Sequence, residues 1–169
     1  MKYYISDLHF FHDNIRRFCH RPFDNIEQME KAMIENWNRV VKPDDEVYVL
    51  GDMFYRATSP NDIRRVLKQL SGKKYLIRGN HDKWANDKSL TSFFEWIKPY
   101  DEVEDNGRRV ILFHYPIEEW NGYFRDSYHL YGHVHNAGEQ LTTIPRRFNV
   151  SADVVEFTPR TLNQLIARN

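Results

Sequence analysis

The chain has 169 residues, of which 41% are hydrophobic and 28% charged, a balance typical of one folded domain rather than a disordered chain. Lysine plus arginine number 24, as do aspartate plus glutamate, so no overall positive field exists to attract nucleic acid. One cysteine excludes an intrachain disulfide, and no apolar run reaches the roughly 20 residues of a membrane span. We therefore expect a single domain over residues 1–169, a cytoplasmic location, and neither a membrane nor an obligate protein partner.

The predicted elements alternate along the chain. Short apolar or β-branched runs predict strands over residues 2–5, 46–50, 74–77, 109–113 and 129–131. Helical spacing of apolar residues predicts helices over residues 26–41, 61–70 and 161–167. Alternating strands and helices indicate a layered α/β domain, whose functional groups collect in the loops beyond the strand ends.

Residues that can bind metal ions follow every predicted strand. They are Asp7, His9, Asp52, Asn80, His114, His133 and His135. If the backbone stays extended, the two-residue spacing directs Asp7 and His9 to one face, and His133 and His135 likewise. Carboxylate, amide and imidazole ligands together suit transition-metal ions better than magnesium or calcium, and seven ligands exceed the need of one ion. We therefore expect two divalent ions, with manganese first and iron, zinc, nickel or cobalt as alternatives.

Glycines stand directly before three of these ligands. Gly51 precedes Asp52, and Gly79 and Gly132 precede Asn80 and His133 in the same way. Glycine permits backbone angles and close approaches that other residues do not, so these positions indicate tight exits from the strands.

The ordered blocks D-x-H, G-D, G-N-H-D, a single H and G-H-x-H resemble those of the calcineurin-like metallophosphoesterase superfamily. The stretches at residues 6–15 and 129–136 are similar to a compact bacterial and phage group of predicted phosphoesterases. The resemblance implies a four-layer α/β/β/α sandwich with a dinuclear metal site at the carboxyl ends of the strands. It places three ligands on the first ion, three on the second and one between them: Asp7, His9 and His135; Asn80, His114 and His133; and Asp52.

The resemblance also implies a metal-dependent phosphoester hydrolase. Two divalent ions, partly offset by Asp7 and Asp52, would attract a phosphate and lower the pKa of a shared water, so a bridging hydroxide is the expected nucleophile. His81 corresponds to a histidine that stabilises the transition state or protonates the leaving group, and it is the predicted catalytic residue. Asp82 is expected to orient its loop. Many relatives carry an acid three residues beyond the bridging aspartate, where this chain has Tyr55.

Residues beyond the first ligand pair are candidate substrate contacts. His12, Asn14 and Arg16 could touch the phosphate, although hydrogen bonding within the loop or exposed charge would equally explain them. Arg21, which ends the same basic cluster, is interpreted as exposed surface charge.

An open site without a cap domain favours a phosphodiester, or another small nucleotide-type substrate, over a monoester. Two alternatives stay open. One is a nuclease acting on nucleic acid, which the zero net charge disfavours. The other is a catalytically silent protein-binding module on the same scaffold.

Overall fold

The computed structural model describes residues 1–55, 58–140 and 144–168, and in these ranges the chain forms two four-stranded sheets and five α-helices. The strands are β1 (Lys2–Ile5), β2 (Glu46–Val49), β3 (Lys73–Ile77), β4 (Trp96–Lys98), β5 (Tyr100–Asp105), β6 (Arg108–Phe113), β7 (Ser127–Tyr131) and β8 (Arg147–Asn149). The helices are α1 (Asp13–Phe18), α2 (Ile26–Val40), α3 (Pro60–Leu67), α4 (Lys88–Thr91) and α5 (Leu162–Arg168). Short 3₁₀ helices cover Asp82–Asn86 and His135–Gln140.

The strands within each sheet run mostly in one direction. The first sheet has the order β1-β2-β3-β4 and is parallel throughout. In the second sheet, β6, β7 and β8 are parallel, and β5 pairs antiparallel with β6. Parallel strands place their carboxyl ends at one edge, so the loops after β1, β2, β3, β6 and β7 can meet. The predicted α/β class, with two sheets and flanking helices, is confirmed.

Alternating side chains on β1 show how the sheets and helices are layered. The Tyr3 hydroxyl donates a hydrogen bond of 3.0 Å to the Val40 carbonyl at the end of α2. The next residue, Tyr4, points to the other face, where its hydroxyl donates to Asp105 Oδ2 of β5 at 2.9 Å. Successive residues of a strand face opposite sides, so β1 lies between a helix layer and the second sheet.

A row of aromatic rings crosses the first sheet on the face toward the second. Tyr4, Tyr48, Tyr75 and Trp96 are neighbours in strand register, with successive ring centroids 5.5, 4.6 and 5.2 Å apart. Cross-strand aromatic pairs stabilise a fixed register. The register in turn sets how far each strand reaches toward the edge that carries the ligands.

The segment between β6 and β7 covers part of the outer face of the second sheet. Residues 115–126 form turns over this face, and the Trp120 ring lies 5.4 Å from the ring of buried His129. Trp120 Nε1 also donates to Ser127 Oγ at 3.0 Å, so the large ring is both buried and satisfied. In the described chain, the segment between β6 and β7 thus covers part of this face. None of the described helices has the length and apolar character to cross a membrane.

The hydrogen bond between the sheets leads to a prediction about stability. We expect Tyr4→Phe to lower the free energy of unfolding by about 1–3 kcal/mol, because Asp105 keeps its buried oxygen but loses its donor. Urea denaturation followed by circular dichroism measures the change. Tyr75→Phe is the matched control, since Tyr75 lies in the same aromatic row and no hydrogen bond of its hydroxyl is seen in the described residues. Equal losses in the two variants would contradict a specific contribution from the Tyr4 bond.

Candidate metal centre

The predicted ligands form two groups at the carboxyl edge of the sheets. In each group, one ligand atom from every residue lies within 4.8 Å of the others: Asp7, His9 and His135, and Asp52, His114 and His133. Asn80 joins the second group, because its Oδ1 lies 3.1 Å from His114 Nε2 and 3.0 Å from His133 Nδ1. The structure thus brings together all seven side chains that the sequence singled out.

Asp52 lies between the two groups. Its Oδ2 is 3.8 Å from His9 Nε2 in the first group and 3.6 Å from His114 Nε2 in the second. Its Oδ1 accepts a hydrogen bond of 2.8 Å from the backbone N–H of His81. One carboxylate oxygen is therefore held by the loop, and the other faces both groups.

Most of these residues have a left-handed backbone. They are Asp7 (φ 54°), His9 (φ 52°), Asp52 (φ 54°), His133 (φ 72°) and His135 (φ 48°). The expectation of an extended backbone at Asp7 and His9, and at His133 and His135, is therefore wrong. Sharp turns bring these side chains together instead. Such a conformation costs on the order of 1–3 kcal/mol for a residue other than glycine, and its clustering is typical of functional sites.

Two buried side chains in the first group have polar atoms without partners. Asp7 Oδ2 accepts from Ser6 Oγ at 2.7 Å, Ser151 Oγ at 2.8 Å and the His133 N–H at 2.9 Å. By contrast, Asp7 Oδ1 and both ring nitrogens of His9 have no hydrogen-bond partner in the described chain. Burying such atoms unsatisfied is costly, so their position fits a cation that would take up their lone pairs.

The glycines before the ligands are required by space, and Gly51 also by its backbone angle. Gly51 has a φ of +94°, and a Cβ there would collide with the His114 ring. At Gly132 a Cβ would collide with Asp7 Oδ2 and Ser6 Oγ. The predicted tight exits are confirmed at these two positions.

The histidines differ in how their surroundings treat a proton. Burial lowers the pKa of His9 to about 2, against the attraction of Asp52, so His9 is neutral at neutral pH. Burial also lowers the pKa of His135, but Asp153, Cys19 and Asp7 outweigh it and raise that pKa to about 10. The carboxylates therefore favour positive charge beside them, which a divalent cation would also supply.

Asp82 ties two ligand loops together. Its fully buried carboxylate accepts from the backbone N–H groups of Asp52 at 2.8 Å, Met53 at 3.1 Å and Gly79 at 2.8 Å. It also accepts from Trp84 Nε1 at 2.9 Å. Burial and the nearby charge of Asp52 raise its pKa to about 6, opposed by these hydrogen bonds. This agrees with the loop-orienting role expected from its place in the G-N-H-D block.

His81 and His12 both lie beside His9. Their ring centroids are 5.3 and 5.4 Å from the His9 ring. Tyr55, which stands where many relatives have an acid, stacks on His12 at 4.4 Å instead. On this side of the site, a tyrosine ring stacked on His12 therefore stands where many relatives have an acidic residue.

The other candidate substrate residues differ in availability. Asn14 is exposed on α1. The Arg16 guanidinium is engaged within the protein, since it binds Asp13 and donates to the carbonyls of Phe23 and Asp24, both at 3.0 Å. These contacts give Arg16 a structural role, and we leave it out of the proposed substrate site.

Sequence reasoning overlooked the supporting residues. Arg21 was interpreted as exposed charge, which is wrong, because its side chain is buried against the loop that carries Asp7. Asp153 pairs with it and contacts His135, yet no metal-binding motif marks either residue. The Tyr115 ring is partly exposed and lies 4.6 Å from the His133 ring and 4.8 Å from the His114 ring.

Sequence and structure comparisons relate this chain to known proteins. The family model for calcineurin-like phosphoesterases matches residues 3–147. An uncharacterized protein of Methanocaldococcus jannaschii is 36% identical over 168 residues, covering 97% of this chain and 88% of that protein. The gene 66 protein of Mycobacterium phage L5 is 32% identical over 82 residues, 47% of this chain and 39% of that protein. A crystal structure of a protein of unknown function from Aquifex aeolicus superposes with a TM-score of 0.78 at 28% identity, covering 100% of this chain and 99% of that one.

The contacts of Asp82 predict a large effect on stability. We expect Asp82→Ala to lower the free energy of unfolding by about 3 kcal/mol or more, since four N–H donors lose their acceptor. Asp87→Ala, which removes the exposed N-cap of α4, should cost only about 1 kcal/mol. Thermal unfolding with excess chelator measures both without a contribution from bound metal. A loss at Asp82 no greater than that at Asp87 would contradict its role in joining the loops.

Proposed function

The chain belongs to the calcineurin-like phosphoesterase family, a family of metal-dependent phosphoester hydrolases, and from this premise we propose that it hydrolyses phosphodiesters. We further propose that two divalent ions, manganese by preference, are held by the seven residues of the two groups. The ligands would be Asp7, His9 and His135 on one ion, Asn80, His114 and His133 on the other, and Asp52 shared by both.

The observation that carries this proposal is the pair of ligand groups meeting at Asp52. Each group alone resembles an ordinary metal site, but Asp52 Oδ2 faces a histidine of each within 3.8 Å. Among the seven side chains, the carboxylates alone can offer an oxygen to each of two cations. The unsatisfied atoms of Asp7 and His9 supply an independent reason to expect a cation in the first group.

The residues of the chain divide the chemistry between them. When bound, the two cations would supply an activated water and a positive field for the phosphate. His81 would donate a hydrogen bond or a proton to the leaving oxygen, and its backbone is fixed by the bond from its N–H to Asp52 Oδ1. His9, kept neutral by burial, would offer a lone pair and not compete as an acid. His12 and the exposed Asn14 are the remaining candidates for contact with the phosphate.

The diester preference is supported by the surroundings of the second group. Tyr115 presents a partly exposed ring beside His133 and His114, where the second organic group of a diester could pack. A singly charged diester can bind with the two predicted ions as its only positive partners. A doubly charged monoester gains more from additional positive side chains. The zero net charge favours small substrates over long nucleic acids.

Hydrolysis should depend on metal and favour diesters. We expect chelator-treated protein to be inactive, and manganese to restore cleavage of bis(p-nitrophenyl) phosphate at a higher kcat/KM than that of p-nitrophenyl phosphate. Release of nitrophenolate measures both rates, with cyclic nucleotides and a labelled oligonucleotide assayed beside them. Faster cleavage of the oligonucleotide than of any small diester would indicate a nuclease. Inactivity on the whole panel with two bound ions would indicate the protein-binding alternative.

Two substitutions separate metal binding from chemistry. We expect His81→Ala to keep two ions per chain and to lower kcat about 100-fold or more, as for loss of a general acid or transition-state donor. Asp52→Asn should lose at least one ion, because it removes a negative charge and a shared oxygen. Metal analysis and steady-state kinetics measure the two properties. His20→Ala, an exposed histidine outside both groups, should change neither.

A His81→Ala protein that loses metal like Asp52→Asn would show that His81 serves the metal site. Full turnover in His81→Ala with every leaving group would show that the acid lies elsewhere, and His12 would be the next residue to test.

A further inference from the structure

Arg21 is a buried cation that holds the turn carrying two ligands of the first group. Its Nη2 donates to the Asp7 carbonyl at 2.7 Å and its Nη1 to the Leu8 carbonyl at 2.8 Å. Asp7 and His9, on either side of Leu8, both have the left-handed backbone described above. Two charge-assisted hydrogen bonds to the carbonyls of this turn offset part of the cost of that conformation.

The same guanidinium anchors Asp153, which in turn holds the third ligand. Arg21 Nε lies 2.7 Å from Asp153 Oδ1, and Arg21 Nη2 lies 3.1 Å from Asp153 Oδ2. Asp153 Oδ2 is 2.7 Å from Nδ1 of His135, which leaves the other nitrogen, Nε2, facing Asp7 Oδ1 at 4.0 Å. A carboxylate bound to one nitrogen of a histidine sets the orientation of the ring and strengthens the other nitrogen as a metal ligand.

The second group is supported by different residues. Asp82 holds the backbone at Asp52 and Gly79, and the Leu50 carbonyl lies 2.7 Å from Nδ1 of His114. No contact between Arg21 or Asp153 and His114, His133 or Asn80 is seen in the described ranges. The two groups therefore share Asp52 and are joined by the bond from the His133 N–H to Asp7 Oδ2, whereas Arg21 and Asp153 contact the first group alone among the described residues.

We propose that Arg21 and Asp153 are positioning residues that set the metal affinity of the first group independently of the second. The inference rests on the proposed dinuclear centre. Neither residue contacts the substrate in this scheme, because both side chains are buried and the hydrogen-bond partners of Arg21 named above all belong to the protein. Their effect on hydrolysis would pass through the occupancy of the first site alone.

A third cation between Cys19, His135 and Asp153 is the competing interpretation of these residues. One ligand atom from each lies within 4.8 Å of the others. Both oxygens of Asp153 are, however, already paired, with Arg21 and with the His135 ring. A cation there would displace these bonds and place its charge beside the buried guanidinium, so the geometry favours the supporting role.

The experiment is a manganese titration of the chelator-treated full chain, with free Mn²⁺ followed by electron paramagnetic resonance. Wild type should bind two ions, and His135→Ala and His133→Ala identify which binding step belongs to which group. We expect Asp153→Asn and Arg21→Lys to weaken the step that His135→Ala weakens by about 10–100-fold and to leave the other step unchanged. Glu156→Gln is the control, because its carboxylate is exposed and pairs only with surface arginines in the described residues.

The outcomes separate this inference from the proposed function. The positioning role would be overturned if both manganese-binding steps weakened equally or if both variants failed to fold, because the two residues would then support the fold as a whole. It would also be overturned if neither step weakened, because the two residues would then have no effect on metal affinity. Three ions in wild type, with one lost in Asp153→Asn, would favour the competing cation. Two ions with the expected selective loss, but no hydrolysis of any ester, would overturn the proposed function and leave the inference standing. A wild type that binds no manganese would overturn both.

Discussion

The turns that carry the predicted ligands depend on hydrogen bonds between two buried charged side chains and the backbone. Five of the seven ligand residues have left-handed backbone angles, which side chains other than glycine disfavour. Arg21 bonds to carbonyls on one side of the centre, and Asp82 accepts from N–H groups on the other. Because these groups are shielded from water, each bond is stronger than at the surface and costly to leave unmade. These hydrogen bonds therefore offset both the strain of the turns and the cost of burying the two charges.

These hydrogen bonds connect the loops that form the centre. Both sheets deliver their strand ends to one edge, but the strands themselves stop short of the ligands. The parallel register and the aromatic row on the first sheet determine where each loop begins. From there, Asp82 holds the backbone at Asp52 and Gly79. Arg21 holds the carbonyls of Asp7 and Leu8. Loop position thus comes from the sheets, and the buried hydrogen bonds hold the backbone of the turns.

The sequence predicted the parts of the structure that have a local signature. All five predicted strands exist, and the seven side chains predicted to bind metal come together beyond the strand ends. The three overlooked strands lack such a signature. Strand β5 carries charged residues at most of its positions and is largely exposed, while β4 and β8 have three residues each. Their pairing depends on neighbours distant in sequence, which periodicity does not detect.

The supporting residues of the site were hidden for a related reason. Arg21 lies in a basic run that looks exposed, and only its burial against residues near both chain ends gives it another role. The left-handed turns were likewise absent from the prediction, because Asp and His carry no local signal for them comparable to that of glycine. Chemistry could be inferred from residue type and order, whereas the means of holding it required three-dimensional contacts.

The distance along the chain between cooperating residues has a consequence for biosynthesis. Asp7 is synthesised 144 residues before Ser151, which donates a hydrogen bond to its carboxylate. His135 likewise precedes Asp153, which contacts its ring. A nascent chain that has reached only β6 and His114 carries Asp52 and Asn80 but no complete first group. Ions taken up during translation could therefore occupy only part of the centre. If ions bind as proposed, the first group can be filled only after residues 135–153 have been synthesised.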